Sequence, residues 1–403
     1  MIAEKSRQFG GWTAALLGLT IPISTAADHI LLAVTVFAWL MTGQLGAQVT
    51  RATRNPVVVA GLLLFALFIA GIFVYDGDPL DAANFLGKYK ELLLLVPLVC
   101  LLDGALWRIR ALQFFFVAMV ITLIGSYAIA VGLIPIDTPP NRYAGNPTVF
   151  KYHITHSFLM AMFAFICASL ARIESIPRRR WFYILLAVLA AANVLLMVKG
   201  RTGYIVLLAL FVYAVIAWYR WKGTVVGLVI LVAVLGAGLS FSDTLRERTD
   251  LAVKEFQEWE PGRGTDTSIG LRLDFYYVTY GIIRDHPLLG VGTGGFEKAY
   301  REKVTGTNIS PSSNPHNEYL MIGAQLGIVG VIAFIAMLVV LWRQSGRLAN
   351  GFERDLARAL VISYALGNLV NSLLLDHTEG MLFCWASAVL FAGMPRPAGY
   401  RGI

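Results

Sequence analysis

Charge is what this chain has least of. Only 14% of its 403 residues are Asp, Glu, Lys or Arg, while 57% are hydrophobic; an average soluble domain carries about 25% and about 45–50%. A soluble enzyme is excluded, and with a mean hydropathy of +0.66 over the whole chain so is a globular domain on a single tail anchor. Cysteine is scarcer still: Cys100, Cys167 and Cys384 all lie inside apolar runs, so neither a disulfide framework nor a Cys-based metal site is implied. Also missing are a Gly-x-x-x-x-Gly-Lys loop, a His-Glu-x-x-His pair and a Gly-x-Ser-x-Gly turn, which leaves nucleotide hydrolysis, zinc proteolysis and serine hydrolysis without support. No long period-2 alternation occurs, which argues against a membrane barrel, and no tandem repeat or low-complexity tract is present.

What is there is a succession of apolar runs, at 9–25, 28–46, 56–75, 86–102, 112–132, 153–171, 181–198, 202–219, 223–241, 317–342, 356–374 and 380–394. Inside lipid the backbone must satisfy itself, so these runs are expected to be helices. The expected fold class is an all-α polytopic membrane protein with about 12 transmembrane helices. Residues 1–241 would hold spans 1–9, 242–315 a long helical loop, and 316–403 spans 10–12 with a short tail. The first run, preceded by Lys5 and Arg7 and broken by Pro22, reads as a retained span, because no convincing small-residue cleavage site accompanies it.

The formal charge of +8 and the pI near 9.4 would suggest nucleic acid in a soluble protein; here they point to topology, and no nucleic-acid partner is expected. Assigning alternate loops to the cytoplasm puts 18 Lys and Arg there against five acids, with 15 bases and 20 acids on the other side. Cytoplasmic loops are the basic ones, so both termini are expected in the cytoplasm and the 242–315 loop outside. Within that loop, 245–259 places Leu245, Leu251, Val253, Phe256 and Trp259 at amphipathic helical spacing, and a second helical stretch at 269–284 carries Arg272 and Asp274.

The ionisable residues within reach of the membrane, among them Lys88, Lys90, Glu91, His153, His156, Lys199, Arg201, His316, Asp376 and His377, fall at external span ends and not at mid-span. A transporter would need them near the midplane, so the chemistry is expected at one face. Arg201 lies in the short turn Lys199-Gly200-Arg201-Thr202-Gly203, on the side that should lack positive charge. It reads either as a snorkelling cap or as an anion site at a helix start. His316, after Pro315, is expected on the first turn of the tenth span, as an interfacial cap or as a base working near neutral pH. His153 and His156 read as packing or substrate-lining residues. Asp76-Gly77-Asp78 with Asp81 could be a metal-binding turn, though a helix-exit turn explains it equally, and no metal site is expected.

Four stretches together resemble the O-antigen ligase and polymerase superfamily of bacterial envelope enzymes. They are Gly200-Arg201-Thr202-Gly203 opening a span, Arg272 in the long loop, the turn His286-Pro287-Leu288-Leu289-Gly290-Val291-Gly292-Thr293-Gly294-Gly295-Phe296, and Pro315-His316-Asn317-Glu318-Tyr319-Leu320 followed by Gln325-Leu326-Gly327-Ile328-Val329-Gly330. They cover the second half of the chain. Gly200 stands where a serine often precedes the arginine, and Gln325 where glutamate is frequent.

The resemblance implies a GT-C-like membrane glycosyltransferase without cofactor, with its active site facing the periplasm of a Gram-negative inner membrane. Its donor would be an undecaprenyl diphosphate-linked O-antigen and its acceptor lipid A-core oligosaccharide. A polymerase joining repeat units and a protein O-oligosaccharyltransferase are the alternatives; a flippase is a more distant one. His316 would be the general base, and Arg201 and Arg272 would hold the diphosphate with Lys88 and Lys90 beside them. Asp274 would orient Arg272, and Lys199 and Asn317 would support the site.

Overall fold

The computed structural model describes residues 2–135, 145–241 and 243–394, and every element in them is helical. Arg396 and Arg401, counted above among the cytoplasmic bases, and the loop's first residue, Ser242, lie outside the described residues. The first half runs through α1 (Ile2–Ile23), α2 (Thr25–Leu40), α3 (Leu45–Ala52), α4 (Pro56–Ile72), α5 (Pro79–Leu86), a 3-10 turn (Gly87–Leu94), α6 (Leu95–Leu101) and α7 (Ala105–Ala130). Then follow α8 (His153–Ile173), α9 (Pro177–Ala192) with a π turn (Asn193–Met197), and α10 (Arg201–Phe241). The long connection holds α11 (Asp243–Glu258), α12 (Ser268–Asp285) and α13 (Phe296–Val304), and the chain continues through α14 (Glu318–Ser345), α15 (Gly351–Gly367) and α16 (His377–Phe391).

Among the described residues five helical segments are long and apolar enough to cross a membrane: α7, α8, α9 with its π turn, α10 as far as Tyr219, and α14. They become six if α2 and α3, bent by 112°, are one span. The protein is thus a multi-helix membrane protein, and several of the expected runs take other forms. The run at 86–102 is divided between the 3-10 turn and α6. Pro97 contributes to the break, because it has no N–H for the Leu93 carbonyl and crowds it. The run at 356–374 stops at Gly367, and the remainder is loop. The two runs at 202–219 and 223–241 are both within α10, yet a Cβ on Gly227 would lie 2.5 Å from the Val215 side chain. A straight helix, rising 1.5 Å per residue, would keep those positions about 18 Å apart, so the chain doubles back between them.

Small residues let the helices close. Along α1, a Cβ on Gly18 would meet the Ala111 carbonyl of α7 at 2.6 Å, the close approach that packs helices where the hydrophobic effect is weak. α1 packs on α7 and α2, α8 on α9 and α10, and α14 on α4, α12 and α15. The two helices expected in the long connection are present as α11 and α12. The third, α13, buries Phe296, Tyr300 and Val304 at four-residue spacing.

α14 is broken. Gly327 has φ 62° and ψ −160°, a region open essentially to glycine alone, and the glycine-rich turn fits into the break. Val291 N–H donates to the Ala324 carbonyl (2.8 Å), Gly292 N–H to Gln325 (3.0 Å) and Ile328 N–H to Pro287 (2.9 Å). The fully buried Gln325 accepts from Gly294 N–H through its side-chain oxygen at 2.6 Å, and Thr293 donates from backbone and hydroxyl to the end of α4. The turn therefore satisfies groups that the broken helix cannot pair internally. Its glycines are a packing device: Gly290, Gly292 and Gly294 all have positive φ, and a side chain on Gly294 would meet Ala82 Cα at 2.7 Å. Gly327→Ala adds both a forbidden conformation and a collision with the Leu288 carbonyl, so it should cost at least about 1–3 kcal/mol. A clear fall in thermal midpoint in detergent checks this; an unchanged midpoint would mean that the break is not needed.

Candidate functional site

Arg201 is set on its turn by the ends of three helices. α9 closes with a π turn whose buried Asn193 donates to Ser126 Oγ at 2.7 Å and meets His156 Nε2 at 3.0 Å. His156 is thereby a packing residue. Lys199 N–H donates to Asn146 Oδ1 at 2.7 Å, and its side chain is exposed. Gly200 and Gly203 press on Ser157 of α8; a Cβ at Gly203 would be 2.5 Å from the serine Cβ, and one at Gly200 would strike its hydroxyl. In this chain the position before the arginine has no room for a side chain. Arg201 itself is exposed at the first position of α10.

Arg272, on α12, is partly buried and lies near enough to Arg201 to feel its charge. Its pKa is drawn below the usual arginine value by burial first and by the positive Arg201 guanidinium second. Two like charges held together repel, and the Arg272 phenol neighbour Tyr276 is neutral at ordinary pH. Among the described residues no carboxylate forms an ion pair with Arg272. The expected orienting partner, Asp274, is a correction: it is fully buried and accepts from Trp259 Nε1 at 2.9 Å. The reason is helical rotation, since residues two apart point about 200° from each other. Asp274 ties α12 to the end of α11 and leaves Arg272 on the opposite face.

One helical turn beyond Arg272, Tyr276 donates to the carbonyls of Leu369 (3.0 Å) and His316 (3.5 Å), and the Phe275 ring lies 5.9 Å from the imidazole. The expected placement of His316 on the first helical turn is corrected. α14 starts at Glu318 with Asn317 as its N-cap, whose Oδ1 accepts from Leu320 N–H at 3.0 Å and whose Nδ2 donates to the Leu369 carbonyl at 2.9 Å. His316 precedes the helix at φ 52°, the one non-glycine residue with positive φ among those described. Such a backbone costs about 1–3 kcal/mol and persists where the surroundings impose it. Here Asn314 Oδ1 accepts from His316 N–H at 2.8 Å and from Ser372 Oγ at 2.9 Å.

The loop between α15 and α16 supplies groups that the sequence reading missed. Asn371 Oδ1 lies 3.3 Å from His316 Nδ1, and the Asn371 side chain is near enough to Asp376 to hold its pKa down against burial. Asp376 is exposed and feels the charges of His316 and Lys88. Glu318 is wholly buried and accepts from Tyr89 Oη at 2.6 Å and from Leu374 N–H at 3.1 Å, which fastens this loop to α14. The cluster Asn368, Asn371 and Ser372 near the end of an apolar run was the available signal. Lys88 thus joins the His316 side of the site. Lys90 is exposed and its charge acts on His29, whose ring stacks on His377 at 4.2 Å while His377 Nδ1 meets Glu91 Oε1 at 2.9 Å.

The aspartates 76, 78 and 81 have local partners. Asp78 caps α5 by accepting from Leu80 N–H at 2.8 Å, Asp81 accepts from Tyr75 Oη at 3.4 Å, and the Asp76 carbonyl accepts from Lys298 Nζ at 2.7 Å. Among the described residues no group of three or more His, Cys, Asp or Glu is placed to hold a metal ion.

The assembled site is a run of cations and one imidazole: Arg201 near Arg272, Arg272 one turn from Tyr276, and Tyr276 on the backbone of His316. It can bind a polyanion at one end and accept a proton at the other. No curated protein matches the chain. Residues 186–335, which include both arginines, the glycine-rich turn, His316 and the broken helix, match a family model described as O-antigen ligase. Over those residues the chain is similar to the O-antigen ligase family, which supports the resemblance to the O-antigen ligase and polymerase superfamily and a membrane glycosyltransferase of that general kind.

Proposed function

We propose that the protein is an O-antigen ligase of the Gram-negative inner membrane. In this reading it is a twelve-span enzyme of GT-C-like architecture with both termini in the cytoplasm and the 242–315 loop in the periplasm. It transfers a glycan from undecaprenyl diphosphate to lipid A-core oligosaccharide. The observation that carries the reading is Tyr276, which ties α12 to the backbone of His316 one helical turn from Arg272, a cation that feels the charge of Arg201 at the start of a membrane helix. Like charges are brought together where an anion is to lie between them, and a lipid-linked diphosphate presents that anion at headgroup depth.

The acceptor hydroxyl oxygen attacks the anomeric carbon and the C–O bond to the diphosphate breaks with inversion. His316 takes the hydroxyl proton. Arg201 and Arg272 hold the diphosphate and offset the charge that grows on it as the bond opens, and Lys88 adds positive charge at the His316 side. Asn317 shapes the backbone beneath His316, and Lys199 extends the cationic rim.

The test is the full-length protein in lipid nanodiscs, given undecaprenyl diphosphate-linked glycan together with lipid A-core. Glycosylated lipid A-core is the expected product, at a rate unchanged by exhaustive chelation and little altered in Asp78→Asn, because asparagine caps a helix as well as aspartate does. Lengthened donor glycan with lipid A-core untouched would make the protein a polymerase. Turnover lost on chelation and restored by Mg²⁺ would transfer the charge-neutralising role to a metal.

A further inference from the structure

The Asn371 amide oxygen lies 3.3 Å from His316 Nδ1, so the oxygen end of the amide is the one that faces the imidazole. Asp376 lies near the same amide and, being a carboxylate, can only accept when ionised, which suits the Nδ2 end. A carbonyl oxygen cannot donate, so the proton must be on the imidazole nitrogen. A neutral imidazole carries one N–H, and if Nδ1 holds it, Nε2 has the free lone pair. Asn371 is held in place for this: it is 3% exposed, its N–H donates to the Gly367 carbonyl at 3.0 Å, and its neighbour Ser372 is tied to the Asn314 that also fixes the His316 backbone.

We propose that Asn371 is a positioning residue that holds His316 as its Nδ1–H tautomer, with Asp376 fixing the amide's orientation, so that Nε2 is the nitrogen that receives the acceptor's proton. This rests on the reading of His316 as the base. In the step so described the acceptor O–H bond breaks as the new C–O bond forms, and the hydroxyl proton passes to Nε2. The electron pair of the old C–O bond leaves on the diphosphate, and the imidazolium later gives the Nε2 proton to water. Throughout, Nδ1–H stays on Asn371 Oδ1, which spares the ring a rotation between turnovers.

The test is ¹⁵N NMR of the full-length protein labelled at its histidines, in nanodiscs, with the His316 signals identified by their loss in His316→Asn. The expected spectrum shows His316 protonated at Nδ1 in the unaltered protein. In Asn371→Leu, which keeps the bulk and removes the acceptor, that preference should vanish and kcat should fall by about 10²-fold, the lower range of general-base contributions, with donor KM little changed. Asn371→Asp, which restores an acceptor oxygen, should recover the tautomer and most of the rate. An Nε2–H form in the unaltered protein overturns the proposal, as does a loss of rate in Asn371→Leu with the tautomer unchanged, since that is what a merely structural residue would produce. Wild-type turnover in His316→Asn would overturn the reading of the base instead, and the tautomer would still report on Asn371.

Discussion

Replacing His316 by alanine is expected to lower glycan transfer by about 10²–10⁴-fold, the usual range for a general base, with membrane insertion and donor binding retained. The backbone makes the choice of control important. His316 adopts φ 52°, where alanine is strained, so loss of activity in His316→Ala alone would confound chemistry with conformation. Asparagine adopts this region far more readily and has no nitrogen able to take a proton near neutral pH. His316→Asn should therefore be as inactive as His316→Ala and as stable as the unaltered protein. The check is turnover in the reconstituted assay beside the thermal midpoint in the same detergent. Turnover near wild type in His316→Asn removes the imidazole from the mechanism; recovery of activity in Asn with loss in Ala would assign residue 316 a conformational role only.

Arg201→Lys and Arg272→Lys are each expected to fold and insert normally and to lose about 10²-fold or more in rate, the scale on which a single preorganised donor to a developing anion acts. A snorkelling cap needs only positive charge on a flexible stem. A diphosphate clamp needs the planar fork that makes two parallel hydrogen bonds, which an ammonium cannot reproduce. The mutual repulsion of the two guanidiniums sharpens the expectation. Without donor, Arg272→Ala should leave stability unchanged or improve it, because it removes a partly buried cation that feels the charge of another. An arginine kept for structure would show the reverse order, with alanine destabilising and lysine silent. Rates should be compared at saturating donor, since charge that develops in the transition state acts on kcat and not on binding alone. Lysine variants with wild-type turnover would move the anion site to Lys88 or Lys199.

Much of this was legible in sequence because it depends on local causes. An apolar run must be helical in lipid, so the starts of α8 and α16 and the two helices of the long connection lie within a few residues of their expected positions. Arg201 could be singled out because positive charge is unexpected at an external span end, His316 because it opens a span behind a proline, and Arg272 through the family resemblance. The run at 317–342 concealed its break, however, since glycine is common in membrane helices and only the conformation of Gly327 distinguishes a packing glycine from a hinge. Asn371 was concealed likewise, counted within an apolar run that in the folded chain is already loop.

By itself the sequence determined that the chain is a membrane protein and that its elements are helices, and it raised the expectation that its chemistry gathers at one face, because hydrophobicity and charge act through composition and short-range period. Only the tertiary structure decided which of those groups meet. Arg201 and Arg272 are 71 positions apart and His316 and Asn371 are 55 positions apart, and no local rule connects them. Packing does, through the glycine contacts that seat α10 on α8 and the turn that fills the break in α14. Helical rotation settled the rest: Asp274, two residues from Arg272, faces Trp259 instead, because neighbours in sequence on a helix are not neighbours in space.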